Sequence, residues 1–426
     1  MENTKDFISI IKEGKLDDKL IDIYVDKSQL EAQKARYIEA IESFNDIFGD
    51  ETSGIFSAPG RSEIGGNHTD HQHGEVLAAS INDDAIAVVV KTDKNEVNVL
   101  SKGYDMITLS LDDLSKNDSE EGTTISLIRG VIAKIKDNGY NIGGFNAYIT
   151  SNVLSGSGLS SSAAFETLIA TIVSGLYNDM AISPIEVAII GQYAENVYFG
   201  KPCGLMDQMA CSVGSLCHID FANPEKPVVN KVDFDLDGAG YSLCITDTKG
   251  SHADLTPDYA AVPAEMKSVA KLFDKDVLIE IPENDVLSHT SYIREKCGDR
   301  AFLRAIHFYE ENKRVREEVA ALTNNDIESF LTTVNKSGNS SYKYLQNVYT
   351  NHQPDKQNMS IALMISEMTL GANGVARVHG GGFAGTIQAF VKNDFVDEYK
   401  SKMDELFGDG SCNVLKVRKY GGIKVM

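Results

Sequence analysis

The sequence predicts an α+β protein of two lobes, because strand-like and helix-like segments are mixed in both halves of its 426 residues. Residues 1–50 carry apolar side chains at helical spacing among charges and predict helices. Short apolar runs of the strand type follow, and a second series of strands and long charged helices begins near residue 220. We therefore expect a helical extension over 1–50, a first lobe over 51–220 and a second lobe over 221–426.

The composition is that of an ordinary globular protein, with 42% hydrophobic and 24% charged residues. The formal net charge of −22 argues against a general nucleic-acid-binding protein, which needs basic patches to meet phosphates. The beginning of the chain lacks the pattern of a signal peptide, and no apolar run approaches the roughly 20 residues of a membrane span. The six cysteines contain no CxxC pair, which suits reduced thiols. We expect a cytoplasmic protein that binds neither nucleic acid nor membrane.

The elements of the first lobe follow from their apolar periodicity. Runs such as GIFSAPG, VLAASI, AIAVVVKT and VNVLS predict strands, and FNAYITSNV at 145–153 alternates like one. The stretch 110–123 is rich in Asn, Ser and charge and predicts an exposed connection. A helix is predicted from the capping box SPIE at 183–186, whose Ser is the N-cap, to Gly200.

The second lobe combines strands such as YSLCITDT with long charged helices such as RAFLRAIHFYEENKRVREEVAAL. It closes with two strand-like segments around glycines, GVARVHGGGFAGTIQAFV and NVLKVRKYGGIKV. One glycine in a strand is commonly a bulge. Three in a row, at 380–382, suggest backbone pressed against something bulky, such as a ligand.

The segment SGSGLSSSAA, residues 155–164, is a candidate phosphate-binding loop. Glycines between a strand and a helix let backbone N–H groups turn inward, and the helix N-terminus adds partial positive charge. The loop lacks the Lys of a Walker A sequence and the spacing of a dinucleotide fingerprint. A flexible connector is the alternative, although a connector need not lead directly into an apolar helix.

The segment GRSEIGGNHTDHQHG, residues 60–74, holds four potential metal ligands within six positions. The same side chains could instead hydrogen-bond a polyhydroxylated ligand, and the residues alone leave both interpretations open. These four residues are His68, Asp70, His71 and His73.

Two carboxylates are further candidates. Asp207 lies among apolar neighbours in CGLMDQMAC, and Glu195 lies on the preceding predicted helix. Taken singly, the first is more often a turn cap and the second a solvated side chain. Whether the two carboxylates are functional can be judged only together with the other motifs.

Taken together, these motifs resemble the GHMP small-molecule kinases and, within that family, the galactokinases. APGRSEIGGNHTDHQHG is similar to the galactokinase signature, SGSGLSSSAA to the phosphate loop, HGGGFAGTIQ to the third glycine motif and GKPCGLMDQ to the segment with the catalytic aspartate. HADLTPDY and RAIHFYEEN resemble further galactokinase segments, so the resemblance extends from about residue 50 to the end. It implies a ribosomal-protein-S5-like N-terminal lobe and a ferredoxin-like C-terminal lobe, with the active site between them.

The resemblance also implies an activity, the ATP-dependent phosphorylation of the C1 hydroxyl of galactose to galactose 1-phosphate with Mg²⁺. Asp207 would accept the hydroxyl proton, and Arg61 would keep it ionised and stabilise the transferring phosphoryl group. Ser162 and Glu195 would hold Mg²⁺, which prefers oxygen ligands. The family correspondence favours sugar binding over metal binding for the segment 60–74.

The same correspondence supplies the remaining site residues, and it implies a monomer whose partner is a small-molecule sugar. Residues expected to contact the sugar are Asn67, His68, Asp70, Gly204 and Tyr259. Residues expected to bind ATP are Gly156, Ser157, Gly158, Leu159, Ser160 and Ser161.

One position departs from the galactokinase pattern. Galactokinases usually carry Glu at the position of Asn67, where it contacts the C6 hydroxyl, and Asn lacks the charge that would repel a C6 carboxylate. The run DHQ at 70–72 also resembles plant galacturonokinases, so galacturonate or another galacto-configured sugar stays an alternative. A non-catalytic galactose and ATP sensor is a further alternative, disfavoured because the predicted catalytic and metal-binding residues are all present.

Overall fold

The computed structural model describes residues 2–153, 158–224, 226–250 and 255–426. Strands in this part of the chain form two main sheets and one small pair. In chain order the strands are β1 Glu2–Asn3, β2 Glu51–Thr52, β3 Gly54–Gly65, β4 Glu75–Lys91, β5 Glu96–Ser101, β6 Ile107–Ser110, β7 Phe145–Ser151, β8 Leu216–Asp220, β9 Val228–Val232, β10 Tyr241–Asp247, β11 Gly374–Val378, β12 Thr386–Lys392, β13 Cys412–Leu415 and β14 Ile423–Lys424.

Helices cover both sheets, and in the part of the chain that is described none of them is long and apolar enough to span a membrane. The α-helices are α1 Thr4–Lys12, α2 Asp17–Tyr24, α3 Leu30–Phe48, α4 Thr124–Asp137, α5 Ser161–Tyr177, α6 Pro184–Tyr193, α7 Met206–Val213, α8 Thr256–Lys271, α9 Glu283–Ser288, α10 Thr290–Cys297, α11 Asp299–Thr323, α12 Ile327–Ser340, α13 Asn358–Leu370 and α14 Val396–Phe407.

The larger sheet has the strand order β14-β3-β4-β7-β5-β6, and β8 and β9 continue from β4. Strands β3 and β4 are antiparallel, with register shifts between Pro59 and Arg61 and between Glu63 and Gly65. Such shifts bend a strand and re-aim its side chains, often beside functional sites. Arg61 and Glu63 therefore project from an irregular part of an otherwise buried strand.

The runs VLAASI and AIAVVVKT were expected as two strands, but they form the single strand β4. Asp84, one of the polar residues between them, stays in the sheet because its charge is neutralised there. Asp84 is fully buried and pairs with Arg36 at 2.6 Å and with Arg418 at 2.9 Å. A carboxylate with two guanidinium partners can be buried within a strand, whereas an unpaired one cannot.

Helices α1, α2 and α3 form within residues 1–50, as the apolar spacing predicted, and they pack on the larger sheet. Phe44 and Tyr37 of α3 share a buried core with Ile86 and Val88 of β4. The chain also ends there, because β14 pairs with β3 at Ile423. The extension and the C-terminus thus cover the same part of the larger sheet, and the lobe boundaries stay a prediction.

The second sheet is antiparallel, with the strand order β11-β12-β10-β13. One apolar cluster joins it to the larger sheet, because Ile81 of β4 lies in the same core as Leu243 of β10, Phe330 of α12 and Phe390 of β12. The two layers therefore share buried surface.

The helix predicted to begin at SPIE is confirmed at its start. The Ser183 hydroxyl and the Glu186 carboxylate form a reciprocal capping box, with Pro184 at the first position. The α-helix ends at Tyr193, and the segment Ala194–Phe199 continues as a π-helical turn up to Gly200. A π-helical turn changes which residues share a face, and such turns are frequent at functional sites.

Candidate active site

Arg61 of β3 and Asp207 in the first turn of α7 form a partly buried ion pair, with Nε donating to Oδ1 at 2.7 Å. Burial by itself raises the pKa of the Asp207 carboxyl, but the charge and hydrogen bond of Arg61 outweigh it. The Ser160 hydroxyl, which donates to the second carboxylate oxygen, acts in the same direction. The pKa of Asp207 therefore lies below its ordinary value, and the side chain is an anion at neutral pH.

The described part of the Gly/Ser loop is attached to this ion pair. The Gly158 carbonyl accepts a hydrogen bond from Arg61 Nη1, while Ser160 reaches Asp207. Gly158 has a φ of 73° and Ser160 a φ of 57°, both left-handed. The second is uncommon for a residue with a side chain. This tight turn delivers the chain into α5, whose N-terminus then faces the ion pair.

Leu159 anchors the same loop. Its side chain is fully buried in the core with Ile81 and Val153, and its carbonyl accepts from the Arg61 N–H at 3.1 Å. Leu159 was expected among the ATP-binding residues, and its side chain instead points into the protein. The expected residues Gly156 and Ser157 lie outside the described residues.

Ser162 and Glu195, the expected Mg²⁺ ligands, lie together. The Ser162 hydroxyl, in the first turn of α5, donates to Glu195 Oε1 at 3.3 Å, and Lys201 Nζ lies 3.1 Å from the same oxygen. Two hard oxygen donors fit Mg²⁺, which usually takes few protein ligands and completes its shell with phosphate oxygens and water. Among the described residues, no three His, Cys, Asp or Glu side chains converge to hold a metal.

Asp70 lines an open cavity of about 310 Å³ together with His71, His73, Cys203 and Gly204. A Cβ atom at Gly204 would lie 2.6 Å from Asp70 Oδ2, so a side chain at this position would displace the carboxylate. One Asp70 oxygen accepts from the His71 backbone N–H at 2.9 Å. The carboxylate is thus held at the cavity wall with acceptor capacity left for hydroxyl groups.

Asn67 is fully buried, and both ends of its amide are bonded to protein. Nδ2 donates to Glu63 Oε1 at 3.0 Å and to the Gly380 carbonyl at 2.7 Å. Oδ1 accepts from Asn347 Nδ2 at 2.8 Å and from Ser341 Oγ at 3.3 Å. This placement differs from the expected contact with a sugar C6 group. The neighbours also explain the residue type, because a carboxylate and a carbonyl both need a donor that Glu could not supply.

His68 and Tyr259, also expected to contact the sugar, bond to the next two carbonyls of the same glycine segment. His68 Nε2 donates to the Gly381 carbonyl at 3.0 Å, and the Tyr259 hydroxyl donates to the Gly382 carbonyl at 2.7 Å. Burial and the nearby His71 ring lower the pKa of His68 to about 4, so the ring is neutral at pH 7. We call residues 380–382 the glycine strip, because three successive carbonyls there each receive a side chain of the predicted sugar site.

Sequence reasoning missed the residues that support this arrangement. Arg377 of β11 is buried, pairs with Glu63 at 2.9 Å and donates to the Ile64 carbonyl at 2.6 Å. Glu311 of α11 accepts from the backbone N–H groups of the signature segment at Gly66. No local pattern indicates these contacts, because Arg377 and Glu63 lie 314 positions apart.

Two family models match the chain at the segments that build this site. One describes the galactokinase galactose-binding signature and matches residues 42–91, and the other describes the N-terminal domain of GHMP kinases and matches residues 126–215. The chain thus carries segments that match the galactokinase signature and the N-terminal domain of the GHMP kinases. The first match contains Arg61 and Asp70, and the second contains Ser162 and Asp207.

Relatives similar in sequence span nearly the whole chain. A galactokinase of Streptomyces coelicolor is 29% identical over 380 residues, covering 88% of this chain and 94% of that protein. A galactokinase of Clostridium acetobutylicum is 29% identical over 384 residues, covering 86% and 93%.

Solved structures show the same fold. Lactococcus lactis galactokinase complexed with galactose superposes with a TM-score of 0.77 at 24% identity, covering 92% of this chain and 100% of that one. A mevalonate kinase superposes with a TM-score of 0.61 at 16% identity, covering 86% and 100%. The expected GHMP kinase fold is therefore confirmed.

Proposed function

We propose that this GHMP kinase is a galactokinase, which transfers the γ-phosphoryl group of ATP to the C1 hydroxyl of galactose. The observation that carries the proposal is the Arg61–Asp207 ion pair, tied through Gly158 and Ser160 to the loop that opens α5. The family models and the galactokinases to which the chain is similar support the same reaction.

In the proposed mechanism Asp207 accepts the proton of the attacking hydroxyl. Phosphoryl transfer has a loose transition state, so positioning and charge neutralisation provide most of the catalysis. An anionic carboxylate beside a guanidinium meets both needs, since Asp207 orients the hydroxyl while Arg61 faces the phosphoryl group being transferred. The weak basicity of Asp207 is tolerated because little negative charge develops on the sugar oxygen early in the reaction.

The nucleotide phosphates would lie at the N-terminus of α5, where backbone N–H groups and the helix dipole favour anions. Ser162 and Glu195 would hold Mg²⁺, which neutralises phosphate charge when bound. Local positive charge matters here because the whole chain carries a net charge of −22 and attracts no polyanion by itself.

On the sugar side, Asp70 is the residue we propose to accept hydroxyl hydrogen bonds, since it faces the cavity and Gly204 leaves it room. The galacturonate alternative rested partly on Asn67 as an uncharged neighbour of C6. Because the Asn67 amide is engaged with Glu63, Gly380 and Asn347, that argument no longer favours a uronate. Galactose is the substrate that we propose.

The test is an ADP-release assay over galactose, galacturonate, glucose, N-acetylgalactosamine, arabinose and fucose. A site that hydrogen-bonds hydroxyls rejects analogues strongly when a buried partner is left unpaired, so we expect galactose to give the highest kcat/KM by about tenfold or more. Higher turnover of another sugar would overturn the substrate assignment. Binding of ATP and galactose without any ADP release would instead indicate the sensor.

A further inference from the structure

Two successive residues at the start of α7 face different parts of the site. Asp207 points to Arg61, whereas Gln208, the next residue, is fully buried and points between α5 and the π-helical turn. Successive helical residues lie about 100° apart around the axis, so one short helix can serve both places. The proposed mechanism uses Asp207 and leaves Gln208 without a role.

Gln208 joins two carboxylates. Its Nε2 donates to Glu195 Oε2 at 2.8 Å and to Glu166 Oε2, on α5, at 3.1 Å. An amide nitrogen has two hydrogens, and both are used here. The opposite amide orientation would turn its oxygen toward both carboxylates, so electrostatics fixes the orientation that the structure shows.

Gln208 holds the inner oxygen of the Glu195 carboxylate, while the Lys201 ammonium lies 3.1 Å from the other oxygen, and together they set which way the carboxylate faces. Gln208 holds Oε2, and the other oxygen, Oε1, is thereby turned toward Ser162 Oγ at 3.3 Å. The Gln208 side chain packs closely against Gly191 of α6, where a Cβ atom would lie only 3.1 Å from Gln208 Cγ. This close packing limits the movement of the side chain. Within the described residues, Glu166 Oε1 and Gln208 Oε1 are both buried without a hydrogen-bond partner, so the hydrogen bonds of this cluster are concentrated on Gln208 Nε2.

We infer that Gln208 is a positioning residue for the divalent cation, because its amide orients the Glu195 carboxylate toward the oxygen of Ser162. The inference rests on the proposed function, in which these two oxygens hold Mg²⁺. Two consecutive side chains of α7 would then have different roles: Asp207 accepts the proton, and Gln208 orients the metal-binding carboxylate. Residues that orient a metal ligand typically change metal affinity 10- to 100-fold when they are replaced.

The experiment measures nucleotide affinity with and without the cation, by calorimetry with a non-hydrolysable ATP analogue in Mg²⁺ and in EDTA. For Gln208→Met we expect the affinity gain given by Mg²⁺ to fall about tenfold, while affinity in EDTA stays at the wild-type value. The Mg²⁺ concentration for half-maximal turnover should rise by a similar factor. An unchanged Mg²⁺ dependence, or equal losses in Mg²⁺ and EDTA, would overturn the inference.

Two further variants keep the test decisive. Gln208→Glu preserves shape but removes both donors, and it replaces Gln208→Met if that protein does not fold. Gln388→Met removes an equally buried amide, which donates to Ser62 and to the Glu63 carbonyl, and should leave the Mg²⁺ dependence at the wild-type value. If the wild type bound no nucleotide at all, the proposed function would fail, whereas Mg²⁺-dependent binding unaffected by Gln208 variants would defeat the positioning role alone.

Discussion

The Gly/Ser loop before α5 and the glycine strip at 380–382 both meet the predicted site, but they are bound to it in opposite ways. In the first loop, the Gly158 carbonyl accepts a hydrogen bond from Arg61, and the Ser160 hydroxyl donates one to the Asp207 carboxylate. The charged groups there remain grouped around the place where a phosphoryl group would lie. At the glycine strip, by contrast, three carbonyls are each occupied by a side chain expected to bind sugar.

Two glycine-rich segments that look similar in sequence can therefore have different roles. One contacts the groups proposed to act in catalysis, and the other joins distant parts of the chain. Asn67 lies in the turn that follows β3, yet its amide is bonded to Gly380 and Asn347, which are 313 and 280 positions away in the chain. The loop before α5 binds Arg61 and Asp207, the two groups proposed to act on the reactants. The glycine strip holds two distant parts of the chain together, so its residues should matter for stability as well as for sugar binding.

The largest expected effect lies on the side of the Gly/Ser loop. Asp207→Asn should lower kcat by about 10³-fold, because removing a general base typically costs 10²- to 10⁴-fold. The dissociation constant for galactose should stay near the wild-type value, since the amide retains an acceptor for Arg61. Single-turnover kinetics and calorimetry measure the two quantities. Asp112→Asn, in an exposed connection, is the matched control and should not change turnover.

If Asp207→Asn kept a wild-type kcat, the assignment of the proton acceptor would be wrong. If it lost galactose affinity and kcat equally, Asp207 would belong to binding, and the contrast between the two loops would disappear.

A smaller effect, on stability, is expected at the glycine strip. Asn67→Asp keeps the shape but replaces two donors by an acceptor, 3.0 Å from the Glu63 carboxylate and 2.7 Å from the Gly380 carbonyl. Buried groups left unpaired in this way should lower the free energy of unfolding by about 2–4 kcal/mol. Urea denaturation at pH 7 gives the value.

Asn98→Asp is the control for this substitution, because the Asn98 amide in β5 is only partly buried and donates to Asn146 at 3.0 Å. We expect it to lower stability by less than about 1 kcal/mol. Equal losses for the two variants would mean that the contacts of Asn67 with Gly380 and Asn347 make no special contribution to stability.

The smallest expected effect concerns pH. His307 of α11 donates from Nε2 to the Asn67 carbonyl at 3.0 Å, and burial lowers its pKa to about 4. In the unfolded chain a histidine binds its proton near pH 6.5, so between about 6.5 and 4 the unfolded state holds more protons. Stability contributed by neutral His307 is therefore present above pH 6.5 and is lost as the pH falls, by up to about 1.4 kcal/mol per pH unit.

His307→Gln removes this titration. Urea unfolding at pH 7, 6 and 5 should give a shallower loss of stability for the variant, by about 1 kcal/mol per pH unit between pH 6 and 5. Parallel curves for variant and wild type would show that protonation of His307 is not what makes stability fall with pH.

Much of the fold could be predicted from local pattern. The helices of residues 1–50, the capping box at Ser183 and the strand at 145–151 all depend on residues a few positions apart. The single strand β4 was missed because its central Asp84 looks like a break, and only Arg36 and Arg418 make its burial tolerable. The π-helical turn that places Glu195 was missed because α-helical periodicity continues across it in the sequence.

The sequence by itself determined the motifs whose geometry is local: a turn that opens α5, an acid at the start of α7 and an arginine on β3. Only the tertiary structure decided which partners those groups meet. Asn67 and Gly380 are 313 positions apart, and their hydrogen bond exists because two sheets share a core. The residue type determines which hydrogen bonds a side chain can make. Packing determines whether its partner is substrate or protein, because packing decides which donors and acceptors lie within reach.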